Sequence, residues 1–292
     1  MSGLSDILET TDFVRVASGF VFTEGPLWHP DGFFYFVDVR SSALYRMTLG
    51  QAPQLVRKTQ GGNGTTFDMQ GRLINCEGDG RRVTRTEHDG QVTTLVDRFE
   101  GKRLNRPNDV ICRSDGSLFF TDPSLRVPLA EREIADAAVY RIAPDGAVSA
   151  VANFEYPNGL ALSPDERTLY VANTRWAQYI HAVELDASGA MVRRRIFADM
   201  SSDATNGVPD GMKIDAAGRV FCTGTGGTWV LAPVGTRIGI IETPEVAANI
   251  AFGGPDLRTL LFTASTSVYT LRVKTPGLAH PWYKLASARG PS

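Results

Sequence analysis

The chain repeats one short pattern six times, and that repeat leaves few architectures open to it. Segments 24–32, 63–71, 108–116, 158–166, 210–218 and 249–257 align over nine positions without a gap. Each opens on an oxygen-bearing side chain, runs through a short apolar stretch and ends at a turn, as at Asp31-Gly32 and Asp115-Gly116. Runs rich in Val, Ile, Phe and Tyr follow these turns, at Phe33–Val37, Leu118–Thr121 and Leu169–Ala172. This is the pattern of hairpins, with almost no helical periodicity. The repeats recur at intervals of roughly 38–52 residues, within or near the spacing of four-stranded propeller blades. The sequence therefore predicts an all-β, six-bladed β-propeller of antiparallel blades around a central channel. Blades start near 24, 63, 108, 158, 210 and 249. Residues 14–22, which have no hairpin of their own, are expected to close the ring by pairing with the last blade and removing an exposed edge. No linker or composition shift interrupts the series, so residues 1–292 are read as a single domain, with an irregular tail from Thr275.

The bulk numbers exclude several function classes. Hydrophobic residues make up 42% and charged residues 21% of the 292, ordinary globular usage that argues against disorder or a coiled coil. The net charge of -2, from 30 basic and 32 acidic residues, offers no footing for nucleic acid or an anionic membrane. No apolar run is long enough to span a bilayer, and the N-terminus lacks the basic-then-apolar layout of a signal peptide. Cys76, Cys112 and Cys222 are odd in number and far apart. They are expected to be reduced core thiols of a cytoplasmic protein, monomeric or weakly homo-oligomeric.

The first column of the alignment reads Glu24, Asn63, Asn108, Asn158, Asp210 and Asn249. In a propeller the first strand of each blade is innermost, so these six positions form a ring around the axis. Asn and Asp before Gly also make turns. That reading leaves out Glu24, and it leaves out Asn108-Asp109 and Asn249-Ile250, where no Gly follows. A ring of carboxylates and amides without Cys or His is what a hard cation requires, and carboxylates are costly away from water without a partner. Ca²⁺ is the expected ion because it accepts irregular geometry and neutral amides. Mg²⁺ and Mn²⁺ share the oxygen preference, and Zn²⁺, which usually takes N or S donors, is a further alternative.

Four motifs then carry a resemblance. Thr23-Glu24-Gly25-Pro26, Arg106-Pro107-Asn108-Asp109, Pro157-Asn158-Gly159-Leu160 and Pro209-Asp210-Gly211-Met212 occur in this order. They resemble the gluconolactonase, senescence-marker-protein and luciferin-regenerating-enzyme family, over about Glu24 to Arg272. The resemblance implies one divalent cation in the channel and hydrolysis of a small, sugar-derived lactone. By motif match Glu24, Asn158 and Asp210 would hold the metal, and Asn108 would be a fourth ligand or a substrate contact. Asp210 would double as the catalytic base, with Arg106 and Asn63 as substrate contacts. The chain departs from close relatives at Asp122-Pro123-Ser124-Leu125, where Tyr-Gly often follows Asp-Pro, and at Asn173-Thr174, where Asp-Thr is common. Neither change removes an expected ligand, but both could alter the substrate.

The loops after the second strands should crowd the metal end of the channel. They supply Asp38 and Arg40, Glu77 to Arg82, Asp122 to Ala138, Asn173 to Tyr179, and Thr223 to Thr228. The longest, Asp122 to Ala138, is a candidate lid. Arg126 and Trp176 are candidate walls, against the plainer reading of a solvated charge and a packed aromatic. Arg106 is read either as a substrate contact or as a surface ion pair. Other chemistries find little footing. There is no G-x-S-x-G elbow, and none of the four histidines falls in the channel column, His29 being placed on a solvent-facing turn. The Gly224–Gly227 cluster reads as a turn, and Arg81-Arg82 and Arg193–Arg195 as solvated charges. Three alternatives stay open: Asp210 as ligand only, a phosphotriester hydrolase on the same ring, and a non-enzymatic propeller with a structural cation.

Overall fold

The computed structural model describes residues 3–204 and 206–283 and is nearly all-β. Six four-stranded antiparallel sheets form a six-bladed propeller. Their innermost strands are Thr23–His29, Gly62–Phe67, Val110–Cys112, Pro157–Leu162, Met212–Ile214 and Ala247–Gly253. These touch one another in cyclic order around the axis. Blade six takes its outermost strand from the beginning of the chain: Val14–Ser18 pairs antiparallel with Ser267–Arg272, from Val14 opposite Thr270 to Ser18 opposite Ser267. The first and last parts of the chain thus share one sheet, and ring opening would break that ladder.

The core lies between blades. Trp28, Phe34, Phe36 and Met47 of blade one pack with Ala251, Leu261 and Val268 of blade six. Second strands such as Leu73–Glu77, Leu118–Asp122 and Val220–Gly224 are buried along their whole length. They have a neighbouring blade on each face, so they read as continuous runs instead of alternating ones. The outer strand Met191–Asp199 is mostly exposed and carries Arg193–Arg195, charges that discourage edge pairing.

Two features aim the first-column side chains. The strand register shifts between Glu24 and Leu27, Gly62 and Thr65, Pro157 and Leu160, and Ala247 and Asn249. A bulge of this kind re-aims a side chain at the end of a ladder. Asn108 and Asp210 lie just before their strands and are held by backbone bonds to the second strand, Asn108 N to Thr121 O (2.9 Å) and Asp210 N to Thr223 O (3.1 Å). The following glycines sit in or beside strands, not in turns. A Cβ on Gly25 would collide with the Asn63 carbonyl, and one on Gly159 with the Asp210 carbonyl. The glycines therefore permit adjacent blades to approach closely at the axis.

The tail from Thr275 forms no strand but is not loose within the described residues. Leu278 N donates to Ile214 O (2.9 Å) and Gly277 N to Leu257 O (2.8 Å). Beyond these, Trp282 packs on Phe67 and His29, and Tyr283 Oη donates to Trp28 O. Residues 275–283 thus run as a strap from blades five and six to blades one and two. Residues 284–292 lie outside the described residues. The strap also corrects the placement of His29, whose side chain is only 16% exposed and stacks on Phe33 at 4.5 Å. The repeat gave no sign of a non-repeating segment lying over that turn. Arg81 likewise is buried, not solvated: it donates to Leu104 O (2.6 Å) and Glu131 O (3.1 Å).

His280 makes the strap acid-sensitive. Trp282 N donates to its Nδ1 (3.1 Å), so Nε2 carries the proton and faces Thr66 Oγ1 at 3.2 Å. Burial pushes the ring down to about 4, against a hydrogen bond to the Phe67 backbone that pulls it up. A histidine lowered on folding lends stability above its unfolded value, and loses it as pH falls toward the folded one. The residue keeps partial exposure, which limits the effect to about 2 kcal/mol. Between about pH 6.5 and 4, urea unfolding of His280→Gln is expected to lose about that much less stability than the native protein, a shallower pH slope. An unchanged slope would mean that the ring titrates as it does in the open chain.

Candidate functional site in the channel

The structure brings all six first-column residues together at one end of the channel. Asn63 Nδ2 donates to Asn108 Oδ1, and Asn108 Nδ2 donates to Asn158 Oδ1. Asn158 also lies beside the Asp210 side chain and helps hold its charged form. Across the ring, Asn249 Nδ2 donates to Glu24 Oε2 (2.9 Å), and Gly25 N reaches the same oxygen at 2.7 Å. Glu24 is 3% and Asn158 7% exposed. Asn63, Asn108 and Asp210 keep partial solvent access, so the ring is sealed on one side and open on the other.

The electrostatics are unbalanced. Burial, then Asp109, push Glu24 up to about 7. Burial, then Glu24 and Asp109, push Asp210 well above the usual carboxylate range, although Arg126 and the bond from Asn158 pull it down. Neither acid is in an ion pair among the described residues. Low dielectric and like charge both disfavour the ionised forms, and a cation at the centre would offset both. The donor set fits a hard divalent ion: carboxylate oxygens of Glu24 and Asp210 with amide oxygens of Asn158 and Asn108. Among the described residues no three His, Cys, Asp or Glu side chains cluster as a metal site. Half of this donor set is amide, so carboxylates and imidazoles alone do not reveal it.

Several neighbours hold the ring, in roles that the sequence did not show. Thr174 Oγ1 accepts from Asn158 Nδ2 (3.0 Å) and donates to Pro209 O (2.7 Å), which ties Asn158 to the residue before Asp210. Asn249 Oδ1 is taken by Ile250 N (2.9 Å) and Lys213 Nζ (3.4 Å), so Asn249 orients Glu24 and does not face the centre. Asp109, 4% exposed, accepts from Val110 N (2.9 Å) and Leu160 N (3.3 Å) and joins blades three and four beneath the ring. Its signal was present: Asp109 stands where four of the six repeats have Gly.

The mouth loops divide into clamps and walls. Asp38 accepts from Val21 N and Phe22 N at 3.0 Å, Asp122 from Asn105 N (2.8 Å) and Arg106 N (2.6 Å), and Asn173 from Tyr156 N (2.9 Å). All three fix the segment that leads into the inner strand of their own blade. Asn173 does this with an amide oxygen, so its difference from the Asp of close relatives bears on backbone support. Glu77 is fully buried between Arg57 and Arg82, each at 2.7 Å. Arg106 pairs with Asp79 at 2.6 Å, both partly exposed. The 122–137 loop carries the short turn Leu129–Glu131 and is held by Arg81. It brings the exposed Arg126 within electrostatic reach of Asp210. Trp176 is 76% exposed and so is not a packed aromatic.

A six-bladed propeller with an oxygen-lined, one-sided channel ring can serve several chemistries, and comparison with known proteins says which family builds this one. The SMP-30/Gluconolactonase/LRE-like region matches residues 22–266. The chain belongs to that family. It is 31% identical to a gluconolactonase of Zymomonas mobilis, over 94% of this chain and 85% of the relative. It is 32% identical to the pentonolactonase XacC of Haloferax volcanii, over 83% and 81%. Among solved structures, a gluconolactonase from Xanthomonas campestris superposes with a TM-score of 0.86 at 34% identity, over 92% of each chain. The chain is a lactonase, an enzyme that hydrolyses cyclic esters. These relatives favour that chemistry over a phosphotriesterase or a scaffold propeller. No helix among the described residues is long and apolar enough to cross a membrane.

Proposed function

We propose that this lactonase acts on a sugar-derived lactone and depends on one divalent cation held by Glu24, Asn158 and Asp210, with Asn108 as the fourth protein ligand. Ca²⁺ is favoured over Mg²⁺, Mn²⁺ and Zn²⁺ because half of the set is neutral amide. One observation carries the reading: two carboxylates, the buried Glu24 and the part-exposed Asp210, meet amide oxygens at the axis without an ion pair among the described residues. The gluconolactonase and pentonolactonase relatives support the substrate class. Three buried cysteines without a disulfide support a reducing, cytoplasmic setting.

A cation in this ring would polarise the lactone carbonyl and stabilise the oxyanion, worth several kcal/mol. The protein's own groups supply the rest. Asp210 takes a proton from the attacking water as the water oxygen bonds to the acyl carbon. The ring ester C–O bond then breaks, and the proton passes to the departing oxygen. Burial raises the affinity of Asp210 for protons, which favours it as the proton acceptor, and a bound cation would lower that affinity again. Asn63 and Asn108, partly open to solvent, are placed to bond the sugar hydroxyls, and Arg106 contributes from the rim, where it shares its charge with Asp79.

The test is proton release from glucono-, galactono- and xylono-lactone after EDTA treatment and metal add-back. Turnover is expected to fall to the spontaneous rate with EDTA and to return with Ca²⁺. Turnover that EDTA leaves intact would remove the metal from the mechanism.

A further inference from the structure

Hydrolysis of a lactone turns a neutral ester into a hydroxy acid, and a carboxyl group ionises well below neutral pH. An arginine bonds a carboxylate as an ion pair, often through two parallel bonds, but meets a hydroxyl oxygen only as a neutral acceptor. A free guanidinium at the mouth of a lactonase therefore favours product over substrate. In this channel two mouth arginines have their charge set against an acid. Arg126 faces Asp210 across the ring, and Arg106 Nη1 lies 2.6 Å from Asp79 Oδ1.

The second pair is built from both sides. Asp79 sits on a tight turn, in which Asp79 N and Gly80 N donate to Gln60 O (3.0 and 3.1 Å) and Gly78 N donates to Gly61 O (2.9 Å). Arg81 N closes the turn on Gly78 O (3.2 Å). Arg106 is fixed from the other side, its backbone N donating to the buried Asp122 at 2.6 Å. Gly78 lets the two segments meet: a Cβ there would stand 2.9 Å from Arg106 Cγ and 3.3 Å from its Nε, so the arginine stem lies across the turn. Glu77, the other acid of this loop, is already held by Arg57 and Arg82 at 2.7 Å each. Asp79 is thus the acid that the loop offers to the mouth. Among the described residues the Arg106 guanidinium has no other partner, so its remaining N–H groups stay open to a sugar hydroxyl.

We propose that Asp79 is a specificity-determining residue, which makes this site prefer the neutral lactone to its hydroxy-acid product. The inference rests on the role proposed above for Arg106 at the lactone. Asp79 occupies the charge of Arg106 and leaves donors that hydroxyls can use. A new carboxylate must displace Asp79 to form its own ion pair, so product departs instead of holding the rim. The side chains are 27% and 54% exposed, and screening keeps the effect on product affinity to about 5-fold.

The test uses the full chain loaded with Ca²⁺, at low ionic strength. KM for glucono-lactone and the inhibition constant of gluconate are measured together, and their ratio reports product against substrate. The ratio should rise about 5-fold in Asp79→Asn and stay near the native value in Asp79→Glu, which keeps the charge. With Arg106→Gln as the background, Asp79→Asn should lose most of that effect. Calorimetry of gluconate binding reads the same differences without turnover, so a failure of the lactone reading is told apart from a failure of this one. If Asp79→Asn does not fold, Asp79→Ser removes the same charge. An unchanged ratio and unchanged gluconate affinity on loss of the charge would overturn the proposal. So would an equal rise in Asp79→Glu, or a full rise without Arg106.

Discussion

Asp210→Asn lowers kcat by about 10³-fold with little change in fold, if Asp210 is the base that the ring geometry makes available. The amide keeps the shape and one ligating oxygen, so the variant should still bind Ca²⁺, more weakly, and titration calorimetry measures that separately. What the amide cannot do is accept the water's proton. The two roles of Asp210 therefore part: a base mutant stays inactive at saturating metal, whereas a ligand mutant recovers as metal is raised. Near-native turnover at saturating Ca²⁺ would reduce Asp210 to a ligand.

The second large effect concerns Glu24, which forms no ion pair among the described residues and feels the charge of Lys213 only weakly. With ligand at about 100 times its Kd, Ca²⁺ should stabilise the native protein by about 2.7 kcal/mol, and Glu24→Gln should abolish most of that gain at the same Ca²⁺ concentration. The metal-free protein should respond in the opposite direction. Glu24 is raised from its ordinary value to about 7 on folding, so the folded state holds the proton more tightly than the open chain does. Stability is then fully present below the unfolded value and declines as pH rises toward 7. Metal-free Glu24→Gln should therefore be more stable than the native protein at about pH 7.5, by about 2 kcal/mol, and closer to it near pH 5. Urea unfolding at the two pH values reads both. A metal-free variant less stable than the native protein at the higher pH would mean that the hydrogen bonds from Gly25 and Asn249 already satisfy the carboxylate, leaving little for a cation to add.

The fold was legible because a propeller is a repeat. A nine-residue register, copied six times, sets strand direction and blade number, and each strand's position in a blade follows from its order. The same register places Glu24, Asn63, Asn108, Asn158, Asp210 and Asn249 at equivalent points, and equivalent points around a closed ring converge. Features outside the repeat were not legible. Nothing in the spacing showed that residues 275–283 cross the far end of the channel, so the placement of His29 was wrong. Nor did the spacing show that Arg106 shares its charge with Asp79.

The sequence by itself determined six blades and the oxygen-bearing column, since both are properties of local hairpins and their period. Only the tertiary structure decided which column members can face a common centre. Asn249 is turned aside by Lys213 and its own strand, and Asn158 is aimed by Thr174 from the next loop. The structure also decided that Lys213, an unremarkable residue between Met212 and Ile214, bonds Asn249 and sets its charge against Glu24 and Asp109. The physical reason is the same in each case. Local pattern fixes backbone direction, but the partner of a buried polar group is chosen by whichever blade or strap lies beside it. Those neighbours are often more than a hundred residues away in the chain, as Glu24 and Asn249 are.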